Sequence, residues 1–87
     1  MLLQVDFSDL RLRFDCTDVR VPERAEFSVG ELLNRLCEGV EQIGGQQISN
    51  KMMLDLIGPD GRRVDAARRV CDLQLNDWDT IYIVRRR

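Results

Sequence analysis

Cys16, Cys37 and Cys71 are the strongest nucleophiles in this sequence, and its 87 residues hold no histidine to activate them. A thiol needs a base, a second cysteine at close spacing or a metal before it does chemistry, and these three are odd in number and far apart. That pattern excludes a zinc knuckle, a redox dithiol and a Cys/His catalytic pair. Each cysteine falls where a small apolar residue also fits, so all three are expected to be buried free thiols, which suits the reducing cytoplasm. Asp72, Asp77 and Asp79 are the nearest thing to an acid–base cluster, the last two straddling Trp78; in a segment of turn formers they read as turn and capping carboxylates. Gly58-Pro59-Asp60-Gly61 has neither the lysine nor the helix start of a phosphate cradle and reads as a turn. No catalytic, cofactor-binding or metal-binding residue is assigned, no cofactor is expected, and a chain this small with a filled core leaves little room for a substrate pocket.

The residues that remain as candidates for function are surface groups meant for contact. They are Trp78, Asp55 and the pairs Arg62-Arg63 and Arg68-Arg69, which together with the three-arginine tail Arg85-Arg86-Arg87 form a local basic patch if they meet. The formal charge of -2 is split between an acidic residues 1–43, with five basic and nine acidic groups, and residues 44–87, with eight basic and six acidic. So small an imbalance argues against nucleic acid as the ligand, because phosphate binding needs a concentrated cationic field. Met1-Leu2-Leu3 opens a strand-like run with Asp6 close behind, and no apolar run approaches a bilayer span. The expectation is a soluble, untargeted, cytoplasmic protein with no direct membrane insertion, one domain over residues 1–87.

The elements that must carry these groups follow from periodicity. Leu3, Val5 and Phe7 alternate with polar residues, which predicts a strand over 2–7. Leu10, Leu12, Phe14 and Cys16 alternate again, and Val19 and Val21 continue on the opposite parity; the spacing predicts a long second strand, bulged or kinked at Thr17-Asp18 and ended by Pro22. Ser28 followed by Glu31, with Phe27 to pack on Leu32, predicts a capping box and hydrophobic staple at a helix start. Val29, Leu32, Leu33, Leu36, Cys37 and Val40 form one apolar stripe, and Gly44-Gly45 ends it. Residues 51–57 read as a third strand, Arg62 to Val64 as a short fourth, Asp72 to Leu75 as a helical turn whose leucines plug the core, and Thr80 to Val84 as the last strand. One long helix across a mixed sheet of four or five strands, with first and last strands adjacent and parallel, is an α+β layout.

Leu54-Asp55-Leu56-Ile57-Gly58 with Gly61-Arg62-Arg63-Val64, then Arg69 to Leu75, resembles the segments of ubiquitin that form its third and fourth strands and short helical turn. Leu3 to Ser8, Asp18 to Pro22, Val29 to Leu33 and Leu75-Asn76-Asp77-Trp78-Asp79 resemble the YukD/EsaB-type ubiquitin-like proteins that accompany bacterial type VII secretion systems. The resemblance implies a ubiquitin-like β-grasp fold and a non-enzymatic interaction module. It further implies partners among the cytosolic parts of a membrane secretion complex or its ATPase. Those relatives tend to have glycine where this chain has Trp78, and tryptophan does not cheaply adopt a positive φ. The turn is therefore expected to be of another type, or Trp78 to sit in an ordinary conformation, its ring either folded over the core edge or exposed as an anchor. Asp55, outward between Leu54 and Leu56, occupies a position where ubiquitin presents an apolar residue, so an unpaired carboxylate there opposes the usual ubiquitin-receptor mode.

Other ubiquitin-like roles differ in what they require. Sulfur carriers and conjugated modifiers end in Gly-Gly, and Val84-Arg85-Arg86-Arg87 does not. An effector subunit of a multicomponent oxygenase, or the cytosolic head of a larger membrane secretion channel, is compatible with the same layout. An unpaired strand edge also permits a homodimer.

Overall fold

The computed structural model describes residues 1–86. Strand β1 (Leu2–Asp6) buries Leu3 and Val5 and turns Gln4 outward, as its alternation requires. Strand β2 (Cys16–Arg20) returns antiparallel to it, and helix α1 (Val29–Gly44) follows. Strands β3 (Leu54–Ile57), β4 (Arg63–Val64) and β5 (Thr80–Arg85) complete the sheet, which among the described residues has five strands in the order β2-β1-β5-β3-β4. The first and last strands are neighbours and parallel, Val5 standing beside Ile81, and the other pairings are antiparallel. One face of the sheet is covered by α1 through Val29, Leu32, Leu36, Cys37 and Val40. This is the expected one-helix, mixed-sheet arrangement.

The start of α1 is held at every free amide of its first turn. Ser28 Oγ accepts from Glu31 N at 3.1 Å and Ser28 O from Leu32 N. Val29 N donates to Arg68 O at 2.8 Å and Gly30 N to Ala66 O at 3.0 Å, so the segment before β5 supplies the acceptors that local sequence cannot. Only half of the expected capping box forms: the Glu31 carboxylate turns away to Arg35 at 3.1 Å, and that guanidinium lies 4.2 Å from the Phe27 ring centroid. At the other end Gly45 takes φ 65° and caps the helix. Glu41 then ties that end to the next loop, accepting from Ile48 N at 2.8 Å and from Lys51 Nζ.

Five expectations are corrected. Residues 10–15 are not strand: Ser8–Leu10 form a 3₁₀ turn that buries Leu10, and Arg11 takes φ 55°. With those residues outside the strand the parity switch needs no bulge, and β2 pairs with β1 in unbroken register from Asp6↔Cys16 to Leu2↔Arg20. Lys51–Met53 are a 3₁₀ turn, so the third strand starts at Leu54, and the helical turn near the end lies at Val70–Leu73 with Val70 as its buried residue. Cys16 and Cys71 are exposed; Cys37 alone of the three is buried, and desolvation pushes its thiol pKa up.

Replacing Ser28 by alanine removes one cap acceptor and is expected to cost about 1 kcal/mol, read as a lowered melting temperature by circular dichroism; no change would mean that the 66–68 backbone alone holds the helix start. The Lys51 hydrogen bond, then the Ile48 amide, hold the Glu41 carboxyl below the usual glutamate range. A lowered folded pKa contributes stability above the unfolded value, about 4.3, that is lost as pH falls through the folded one. Glu41→Gln should therefore flatten the acid limb of a stability-versus-pH curve, and identical limbs would remove this role.

Candidate functional site

The candidate residues do not gather into one patch. Asp55 lies on the outer face of the sheet, its side chain 13% exposed, where it meets Arg86 Nη2 at 3.0 Å and Arg63 Nε at 3.6 Å. The carboxylate is thus neutralised, which removes the expected barrier to an apolar partner surface: the charge has already been desolvated against two guanidinium groups. Register places Tyr82 between Asp6 and Ile57, with Arg63 beyond, and Val84 beside Asp55. The outer face therefore presents a small apolar strip of Ile57, Tyr82 and Val84 bordered by paired charges. Sequence places Arg86 only among the three closing arginines, and Arg87 lies outside the described residues.

Arg62 sits exposed in the β3–β4 turn, its amide bonded to Asp60 Oδ1 at 3.0 Å. Arg68 and Arg69 belong instead to the segment that holds the start of α1, where Arg68 Nη2 donates to Asp72 O at 3.0 Å and Arg69 Nε to Asp72 Oδ2 at 3.4 Å. Arg63, Arg68 and Arg69 are thus engaged in local contacts with Asp55 and Asp72, while the Arg62 side chain is exposed. A cleft of about 250 Å³ between Arg68, Asp60, Val64, Leu75 and Asp79 is smaller than ordinary ligand pockets.

Trp78 stands apart, in the turn that leads into β5, with its side chain largely in solvent at 63% exposure. Asn76 O accepts from Asp79 N at 3.1 Å across the turn, and Trp78 in its third position has φ 70°. That angle is the one a type II turn demands and glycine supplies, so the expectation of an ordinary conformation or a different turn is corrected: the tryptophan itself takes the left-handed backbone. Two long-range bonds and one across the turn hold it there. Trp78 N donates to Leu2 O at 2.7 Å, Leu2 N donates to Asp77 Oδ1 at 2.8 Å, and Asp79 Oδ2 accepts from Asn76 N at 2.8 Å. Asp77 and Asp79 are thereby engaged as turn carboxylates, and Asp72 as the partner of Arg69. A bulky residue kept in a costly conformation while its ring meets water is the least economical feature of the surface.

No protein-family model matches the chain, and no curated protein matches it. Among solved structures it is similar to the ubiquitin of Caldiarchaeum subterraneum, with a TM-score of 0.71 at 15% identity over 100% of this chain and 94% of that one. The fold is a ubiquitin-like β-grasp. A chain of the crystal structure of ATBAG1 in complex with HSP70 is also similar, with a TM-score of 0.65 at 10% identity, covering 99% of this chain and 40% of its own length. At such identities the likeness is one of fold, and function has to be argued from the surface of this chain. Among the described residues no helix of this ubiquitin-like domain is long and apolar enough to cross a membrane.

The Trp78 conformation generates a stability test. Trp78→Gly is expected to be more stable than Trp78→Ala by about 1 kcal/mol in urea titration, because both lose the same exposed ring but only glycine relieves the backbone. Equal midpoints would show that φ at this position carries no strain.

Proposed function

We propose that this chain is a non-catalytic, ubiquitin-like interaction module that docks a protein partner through Trp78, and that the partner is a cytosolic part of a bacterial type VII secretion machine. The observation that carries the reading is the left-handed, exposed Trp78 itself. In YukD/EsaB-type proteins this turn tends to hold glycine; here the same positive-φ backbone carries a ring instead. Holding a non-glycine residue in that region costs about 1–2 kcal/mol. An exposed indole offers a large, rigid, amphipathic contact in return, the residue type that most often dominates interface energetics.

Secretion rather than another ubiquitin-like role is favoured by the segments Leu3 to Ser8, Asp18 to Pro22 and Val29 to Leu33, which resemble that group together with the Trp78 turn. The outer strip of Ile57, Tyr82 and Val84, with Asp55 neutralised by Arg63 and Arg86, is a second contact area at another part of β5. The fold is compatible with such use, one of its solved neighbours being a complex with HSP70.

Capture of partners on the tagged protein from its own cells tests both levels of the proposal. Trp78→Ala is expected to keep the circular dichroism spectrum and to lose the captured partner, and mass spectrometry of the wild-type eluate should contain a multi-ATPase-domain membrane protein or secretion channel. Intact capture by the variant would remove Trp78 from the interface. An iron-containing hydroxylase in place of secretion components would overturn the pathway and point to an oxygenase effector.

A further inference from the structure

Strand β2 closes one side of the sheet, and among the described residues no strand pairs on its outer side. Its bonding pattern is fixed by the exchange between Met1 and Val21, with Val21 N to Met1 O at 2.8 Å and Met1 N to Val21 O at 3.0 Å, and by Phe7 N to Asp15 O at 2.8 Å. In an antiparallel ladder alternate residues face the partner strand, so the odd-numbered residues of β2 bond to β1 and Cys16, Asp18 and Arg20 direct their N–H and C=O groups outward. This edge carries a long local contact, Thr17 Oγ1 to Asp18 O at 3.5 Å. Asp18 and Arg20 are exposed, and their charged groups have no partner among the described residues. This edge carries no proline, lysine or bulge along its five residues; its charges are one acid and one base, which deter an apolar strand but match a second copy of themselves.

We propose that β2 pairs antiparallel with β2 of a second copy of this chain, about a twofold axis through Val19, so that Asp18 of each copy faces Arg20 of the other. Charge selects this register. Centring the axis on Asp18 would set the two Asp18 carboxylates directly opposite each other, which is destabilising; moving it one residue to Val19 replaces that with two opposite-charge cross-strand pairs. The same shift leaves Asp18 and Arg20 in the positions that exchange N–H···O bonds and puts Cys16 opposite Pro22, whose missing N–H ends the ladder.

The helix side of the edge is also complementary to itself. Val19 lies opposite buried Leu3 and so points toward α1, where Leu36, Gly39, Val40 and Ile43 continue a shallow apolar groove of about 90 Å³. Ile43 is 61% exposed, and a side chain placed on Gly39 would meet nothing within 4 Å, so this helix face is open to a close neighbour. Pairing about Val19 joins the grooves of the two copies into one seam. A single short edge buries less than a standard stable interface, so the dimer forms at high concentration and dissociates on dilution. This surface is separate from Trp78 and the outer strip, and the inference stands without the secretion reading.

Sedimentation velocity over a concentration series tests the register. The wild type is expected to shift toward a dimer as concentration rises, and Asp18→Arg or Arg20→Asp alone to weaken association on the order of tenfold, each turning both attractive pairs into repulsive ones. The double variant should regain association, and mixing the two single variants should give a heterodimer, because one chain then carries only arginine and the other only aspartate along the edge. Unchanged circular dichroism in each variant excludes unfolding, and Trp78→Ala should associate as the wild type does. A wild type that stays monomeric, single variants that associate normally, or a mixture that forms no heterodimer would each overturn the proposal.

Discussion

The parallel pairing of β1 with β5 is the constraint on which the rest of the structure depends. Leu3, Val5, Ile81 and Ile83, all 0% exposed, belong to these two strands, so the centre of the core is built from opposite ends of the chain. Gln4 and Thr80, 76 positions apart, stand side by side. Closing so long a loop brings no reward until these strands meet, and the gain then comes from burying branched side chains on both. The 76–79 turn, bonded through Asp77 and Trp78 to Leu2, sets where β5 starts against β1 and thus which of its residues face inward.

That constraint explains the conformation of Trp78. Shifting the turn by one residue would carry Ile81 and Ile83 to the solvent face, so the register outweighs the local cost of a left-handed tryptophan. The start of α1 depends on the same assembly. Its free amides are satisfied by Ala66 and Arg68, which can face Gly30 and Val29 only after the segment before β5 has been laid across the helix end. Local capping by Ser28 begins the helix; tertiary contacts finish it.

What was legible in the sequence follows the same division between local and distant causes. Alternation at Leu3 and Val5, the stripe from Val29 to Val40 and the Ser28 cap are written within a few residues, and the layout built on them is the one observed. Alternation also misled: Leu10, Leu12 and Phe14 have strand period, but Leu10 enters the core from a 3₁₀ turn and Phe14 is half exposed, because Arg11 leaves the extended region. The small apolar character of Cys16 and Cys71 says nothing about the side they face. Arg86 as the closest partner of Asp55 is visible only through the β3–β5 register, and the exposure of Trp78 only through bonds to Leu2.

The β2 edge and the outer strip are geometrically independent. Strand pairing uses groups in the plane of the sheet at β2, whereas Ile57, Tyr82 and Val84 project perpendicular to that plane from β3 and β5. Extending the sheet through β2 therefore covers none of the outer strip and sets two copies of it on one continuous face. A membrane-bound machine with repeated subunits would meet both copies at once, and the second contact would form at the high effective concentration set by the rigid sheet. Weak self-pairing of a single short edge would then matter most where the chain is already crowded on such a partner, and least in dilute solution. The short β2 edge suits that regime: long enough to align two copies, and weak enough that the pair falls apart on dilution.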